Sequence, residues 1–319
     1  MTPVFLIAAF LALPATEKGE ATFRPSPAEA EVPELFRLPE ATFGYELEPV
    51  RETPGYSVAK LRFPSPIATP DQANNTVQGE YFRPKGCGRR PAVVVLHILG
   101  ADFALSRYYA ARLADRGVAA LFVKLPYYGE RRGGGKGKFL STDIGRSTLA
   151  MRQGVCDVRR AGAWLGARPE VDPGKLGVTG ISLGGITSAL AAAVDPALNR
   201  GVFLLAGGGL DGILWEMDEP EARQYRQQWL ASGRTRAELE ALTRPLDPLT
   251  YAGRLAGKRI LMMAGNVDEV VPPSAARALW EASGRPPIRW FDCGHYSAAG
   301  YLLPAIRESV EFFAAEVPR

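Results

Sequence analysis

From Pro91 onward the chain alternates short, unbroken apolar runs with helix-length amphipathic segments. The runs are "AVVVLH", "VAALFVKLP", "KLGVTG", "GVFLLAG", "RILMMAG" and "IRWFDCG". Runs of this kind suit strands buried on both faces, and helices between them predict a parallel sheet covered on both sides. The intervening segments include "ALSRYYAARLADRG", closed by Gly117, and "DIGRSTLAMRQGVCDVRRAGAWLGA", both with helical spacing. Ahead of Pro91 the rhythm is different: "FGYELEP", "YSVAKLRF" and "TVQGEYFRP" alternate apolar and polar positions and predict an antiparallel start to the sheet. The expected fold class is therefore α/β, a mostly parallel, doubly wound sheet with antiparallel N-terminal strands.

Three segments depart from this rhythm. Val4 to Leu13 are uniformly apolar and run into Pro14 and Ala15. Residues 1–15 thus resemble a signal peptide cleaved near Ala15, although the usual positive charge is missing. The run is too short to cross a bilayer. Export to a periplasmic or extracellular location is the expectation, with an apolar arm on a cytoplasmic protein as the alternative. Residues 16–42 are rich in Pro, Glu and Ala and read as an extended leader, leaving 43–319 as the main domain. Within it, residues 209–256 are longer than a crossover needs and hold the helix formers "EPEARQYRQQWL" and "TRAELEAL", which predict a small helical cap inserted between two core strands.

Composition narrows the chemistry. The 319 residues are 46% hydrophobic, enough for one sizeable core. A net charge of +4 without a basic, aromatic-rich helix gives no reason to expect nucleic acid as a partner. Cys87, Cys156 and Cys293 lack metal-site spacing, and His97 and His295 are the only histidines. No metal site is expected.

The stretch "GISLGG" stands between the run "KLGVTG" and the alanine-rich "ITSALAAAVD". A serine among glycines at a strand-to-helix junction reads as a nucleophile on a sharp turn, with Gly180 and Gly184 allowing the two backbones to approach. Leu183 N–H, at the helix start, would face a developing negative oxygen. A helix-capping serine is the plainer alternative for Ser182. A hydroxyl nucleophile needs a base, and the base an orienting acid. His295 follows the last apolar run in "DCGHYSAAGY", and Asp268 follows the preceding one in "GNVDEVVPP". Strand ends of one rim thus carry Ser, Asp and His in that order. Asp292 is the rival acid.

With these residues in place, the chain from about residue 75 onward resembles the α/β-hydrolase superfamily, through "GISLGG", "GNVDEVVP" and "CGH". The likeness is to the dienelactone-hydrolase-like and prolyl-oligopeptidase-like catalytic domains. It implies Ser182 as nucleophile, His295 as general base and acid, and Asp268 as the orienting carboxylate. The turn "HILGAD" is similar to that of dienelactone-hydrolase-like proteins, which implies Ile98 as a second oxyanion donor beside Leu183, with Leu99 the alternative. Dienelactone-hydrolase relatives commonly use cysteine where this chain has serine. His97 suits a structural hydrogen bond. Tyr127 and Tyr128 leave the sheet on the active-site rim, where they either contact substrate or pack under neighbouring loops, and Trp215 is a candidate pocket residue in the cap. The basic "RRGGGKGK" reads as a solvated loop. The resemblance implies hydrolysis of a small-molecule or polymer carboxylic ester through an acyl-enzyme without a cofactor. No other segment is long and apolar enough for a membrane helix, so no stable insertion into a membrane is expected. A peptidase or amidase of prolyl-oligopeptidase type is one alternative, and a non-catalytic binding protein on the same scaffold is another.

Overall fold

The computed structural model describes residues 14–100, 103–134, 137–141 and 143–315. The apolar run Val4–Leu13 lies outside the described residues. Ten strands form one sheet: β1 (Glu17–Phe23), β2 (Ala41–Glu52), β3 (Tyr56–Pro64), β4 (Thr76–Pro84), β5 (Arg90–Leu96), β6 (Ala119–Val123), β7 (Val171–Ile181), β8 (Leu198–Leu204), β9 (Arg259–Gly265) and β10 (Ile288–Phe291). Their spatial order is β1-β2-β3-β4-β6-β5-β7-β8-β9-β10. Pairing is antiparallel from β1 to β4 and between β4 and β6, and parallel from β6 through β5 to β10.

The helices are α1 (Ala104–Asp115), α2 (Ile144–Gly166), α3 (Leu183–Val194), α4 (Leu210–Glu216), α5 (Pro220–Ala231), α6 (Arg236–Thr243), α7 (Pro273–Ala282) and α8 (Leu302–Ala314). One face of the sheet packs Leu96, Leu121 and Val123 against Val155 and Trp164 of α2 and Leu190 of α3. The other packs Val93, Val95 and Phe122 against Tyr109 and Leu113 of α1 and Ile306 and Phe313 of α8. Burial on both faces explains why β5 and β6 read as continuous apolar runs rather than alternating ones.

The cap helices α4, α5 and α6 lie between β8 and β9. Their body is tied by the buried Asp247, whose carboxylate accepts from the N–H groups of Gly209, Leu210 and Leu249. One carboxylate thus holds both ends of the insertion. The last part of 209–256 belongs to the main body, because Ala252 and Leu255 are buried in the core.

Two expectations are corrected. Residues 16–42 do not run as an extended leader: β1 pairs in register with β2 from Glu17↔Leu47 to Phe23↔Ala41, and Val32 and Phe36 are wholly buried. "EKGEATF" has too few β-branched and aromatic residues to signal a strand, and its structure comes from the neighbour it pairs with. The buried Arg159 of α2 holds this segment, donating to Glu29 at 2.6 Å and to Asp195, just beyond α3, at 3.3 Å. The basic loop is corrected at Arg131, which is fully buried and pairs with Asp157 of α2 at 2.8 Å. Its guanidinium also donates to the carbonyls of Asn74 and Lys124. The partner, buried on α2, lies 26 residues downstream, so nothing local marks Arg131 as different from its solvated neighbours. A desolvated pair of this kind fixes geometry more than it adds stability.

Candidate active site

Ser182 caps α3 with φ 54° and ψ −118°, a left-handed conformation that a side chain adopts only when its surroundings hold it there. The neighbouring glycines explain how. A Cβ on Gly180 would collide with the backbone of Gly184, and one on Gly184 would lie 2.6 Å from the carbonyl oxygen of His97. Strand β7, helix α3 and the end of β5 therefore pack backbone to backbone, and the serine is lifted out of the turn. Ser182 N–H donates to the carbonyl of Leu204, which ties the turn to β8.

Ser182 Oγ lies 2.9 Å from His295 Nε2. On the other side of the ring, Nδ1 is 2.8 Å from Asp268 Oδ2 and 3.1 Å from Oδ1. A carboxylate only accepts, so the ring proton sits on Nδ1 and Nε2 is left to accept from the serine hydroxyl. Asp268 is buried, and its Oδ1 accepts from the N–H groups of Val270 and Val271. Asp292 is exposed and bonded to the Asn266 side chain at 3.2 Å, away from the imidazole. Asp268 is thus the carboxylate that reaches His295.

Two side chains absent from the sequence reading also act on the histidine loop. Glu269 accepts from His295 N–H at 2.8 Å, and Gly294 leaves the space its carboxylate occupies. Tyr296, beside the histidine and largely exposed, donates to Glu219 at the start of α5 at 2.8 Å. The acidic pair Asp268-Glu269 was the only hint of the first contact; the second joins residues 77 apart and leaves no local signal.

His97 has no exposed surface. Its Nδ1–H donates to the carbonyl of Ile98 at 2.7 Å and its Nε2 accepts from Leu125 N–H at 3.0 Å. Both ring nitrogens are spent on the backbone, which is the structural role expected for this residue. Burial, reinforced by the nearby Lys124 and Arg131 cations, holds its pKa down to about 4. An unfolded chain would take up that proton near the ordinary value of about 6.5. Between these limits the unfolded state binds more protons, so stability falls as pH drops from about 6.5 to 4 and levels off below. The span corresponds to roughly 3 kcal/mol for a fully buried ring. His97→Asn is expected to flatten this window in chemical denaturation curves run from pH 7.5 to 4, and an unchanged slope would contradict the assignment.

The remaining candidates divide. Ile98 is half-buried and Leu99 exposed on the turn after β5, and Leu183 is the first residue of α3, where N–H groups have no partner within the helix. Tyr128 lies edge-on to His97 with ring centroids 4.4 Å apart. Tyr127 is corrected as a substrate contact: it is buried and its ring fills the space beside Gly137, which is the packing role. Trp215 of α4 is half-buried under the guanidinium of Arg236.

The family model of "alpha/beta hydrolase domain containing 18" matches residues 38–206. An uncharacterized protein of Mycobacterium tuberculosis, known from two strains, is 27% identical over 213 residues, 65% of this chain and 50% of that protein. The chain thus spans about half the length of the curated relatives it matches. Acetyl xylan esterase 1 from Thermoanaerobacterium sp. JW/SL YS485 superposes with a TM-score of 0.65 at 23% identity, over 84% of this chain and 88% of the esterase. The acylaminoacyl peptidase of Pyrococcus horikoshii superposes with a TM-score of 0.59 at 15% identity, over 86% of this chain and 47% of the peptidase. At these identities the likeness is one of fold.

Proposed function

This chain belongs to the alpha/beta hydrolase domain containing 18 family, and from that premise we propose that it is a serine hydrolase cleaving carboxylic esters through an acyl-enzyme. The observation that carries the reading is the continuous chain from Ser182 Oγ through the His295 ring to Asp268, at 2.9 and 2.8 Å. His295 Nε2 takes the hydroxyl proton as Oγ attacks the ester carbonyl, and then delivers it to the departing alkoxide. Water repeats the sequence and releases the acid. Throughout, Asp268 holds the imidazole in the required tautomer and stabilises its cationic form. The carbonyl oxygen gathers negative charge in each half-reaction, opposite Leu183 N–H and a donor from the turn after β5.

Ester cleavage is proposed by likeness to the acetyl xylan esterase, and amide cleavage, by likeness to the acylaminoacyl peptidase, is the second reading. Trp215, in the cap, is proposed to line the acyl or alcohol pocket. The chain is proposed to be exported after cleavage near Ala15, which would leave β1, starting at Glu17, whole.

The test is a panel of p-nitrophenyl esters of increasing acyl length, sugar acetates and peptide amides, run beside labelling by a fluorophosphonate probe. Turnover of esters, with labelling that vanishes in Ser182→Ala, is the expected result. Amide turnover with inert esters would move the chain to the peptidase class, and an unlabelled wild type would leave a binding scaffold.

A further inference from the structure

Strands β9 and β10 pair in parallel from Met262↔Ile288 to Gly265↔Phe291, and the loops that follow them stay joined beyond the sheet. Asn266 N–H donates to the carbonyl of Phe291 at 2.9 Å, and Val267 N–H to that of Cys293 at 3.3 Å. A Cβ on Gly265 would lie 2.5 Å from the Cys293 carbonyl oxygen, so the two backbones touch at this point. Asp268, next in the first loop, ends the ladder: its carboxylate accepts from Val270 and Val271 N–H and bends the chain into a turn. The second loop runs on to His295. There the acceptor is a side chain in place of a carbonyl, Glu269 Oε2 at 2.8 Å from His295 N.

Two consecutive carboxylates thus divide the histidine between them. Asp268 holds the ring at Nδ1, and Glu269 holds the main chain. Nε2 stands at the far end of the side chain, so its 2.9 Å contact with Ser182 Oγ depends on where the backbone of His295 is fixed. Other bonds shape the loop from within: Gly294 N–H donates to Ser297 Oγ at 2.8 Å, and Gly294 O accepts from Ala298 N–H at 3.0 Å. Neither attaches it to the β9 side. Gly294 makes the attachment possible, because a Cβ there would strike the Glu269 carboxylate and lie 3.3 Å from the Val267 carbonyl oxygen. Its φ is not positive, so what this glycine supplies is room.

We propose that Glu269 is a positioning residue for catalysis: its carboxylate, lodged against Gly294, holds the His295 main chain at the place from which Nε2 reaches Ser182. This rests on the serine-hydrolase reading above. Glu269→Ala is expected to lower kcat by about tenfold, toward the low end for a hydrogen bond to a charged group because the contact is exposed. KM should hardly change, and the rate of fluorophosphonate labelling, which uses the same Ser182 and His295, should fall in parallel. Glu269→Gln keeps an oxygen acceptor of roughly half the strength, and is expected to recover kcat to within about threefold of the wild type.

Gly294→Ala should lose as much as Glu269→Ala, and the double variant little more than either, since both changes break one contact. All rates are read below the melting temperature of each variant, followed by circular dichroism. Glu269 is exposed, so its removal leaves the core intact, and the Ala and Gln variants decide the matter even if Gly294→Ala misfolds. An unchanged kcat in Glu269→Ala, a change confined to KM, no recovery in Glu269→Gln, or losses that multiply in the double variant would overturn the proposal. If the wild type is labelled and depends on Ser182 in the same experiments, the Glu269 assignment fails alone. If the wild type is not labelled, the serine-hydrolase reading fails and takes this proposal with it.

Discussion

Ser182→Ala is expected to lower ester turnover by on the order of a millionfold, His295→Ala by about as much, and the double variant by little more than either. The two residues form one device. Without the imidazole the hydroxyl keeps its proton at the moment of attack, and without the hydroxyl the base has nothing to activate. The 2.9 Å contact between Oγ and Nε2, together with the held backbone of Ser182, means the device is assembled before substrate arrives. Turnover measured on a p-nitrophenyl ester, with the protein purified from a host whose own esterases are removed, reads all three variants. Losses that add, or appreciable activity in Ser182→Ala, would show that another group carries the chemistry.

Asp268→Asn is expected to cost about four orders of magnitude in kcat, as in a serine protease carrying the same change. The carboxamide is almost the same shape, so substrate binding should hardly change. The cause is the ring proton. The two N–H groups of Val270 and Val271 bond to Asp268 Oδ1, and an amide oxygen would keep that place. The amide nitrogen would then face Nδ1 as a donor, forcing the proton to Nε2 and removing the acceptor that Ser182 needs. Asp292→Asn should change kcat by less than about tenfold, because among the described residues its carboxylate bonds to the Asn266 side chain rather than to the imidazole and it stays in water. A reversal of the two kcat values would transfer the orienting role to Asp292.

The parallel half of the sheet was legible in the sequence because burial on both faces leaves one kind of residue in each strand. "AVVVLH" needs no context to be read as β5, and the glycines around Ser182 announce the turn through their size alone. The residues that meet at the site also lie at strand ends, where the order of runs already places them. What escaped reading depends on partners far away in the chain. β1 is a strand because β2 pairs with it. Arg131 resembles the cations that follow it until Asp157 is brought alongside. Tyr127 and Tyr128 are identical in sequence terms, yet φ 67° at Tyr127 turns one ring into the body and leaves the other beside the turn after β5. The contact of Glu219 with Tyr296 needs the cap to be folded back over the histidine loop, which no local pattern encodes.

The docking of residues 17–38 bears on where the chain can be cut. A fusion joined ahead of Glu17 leaves the docked segment complete. A cut after Leu38 would strip away β1, with Val32 and Phe36, and take Glu29 from a buried guanidinium. It would also bare the edge of β2, twelve residues long, whose unpaired N–H and C=O groups would invite pairing with other molecules. The same Arg159 holds Asp195 at the far end of the helix that begins at Ser182. Trimming the chain to the boundary its composition suggests would therefore be felt first as clumping, and then as slack in the helix behind the nucleophile.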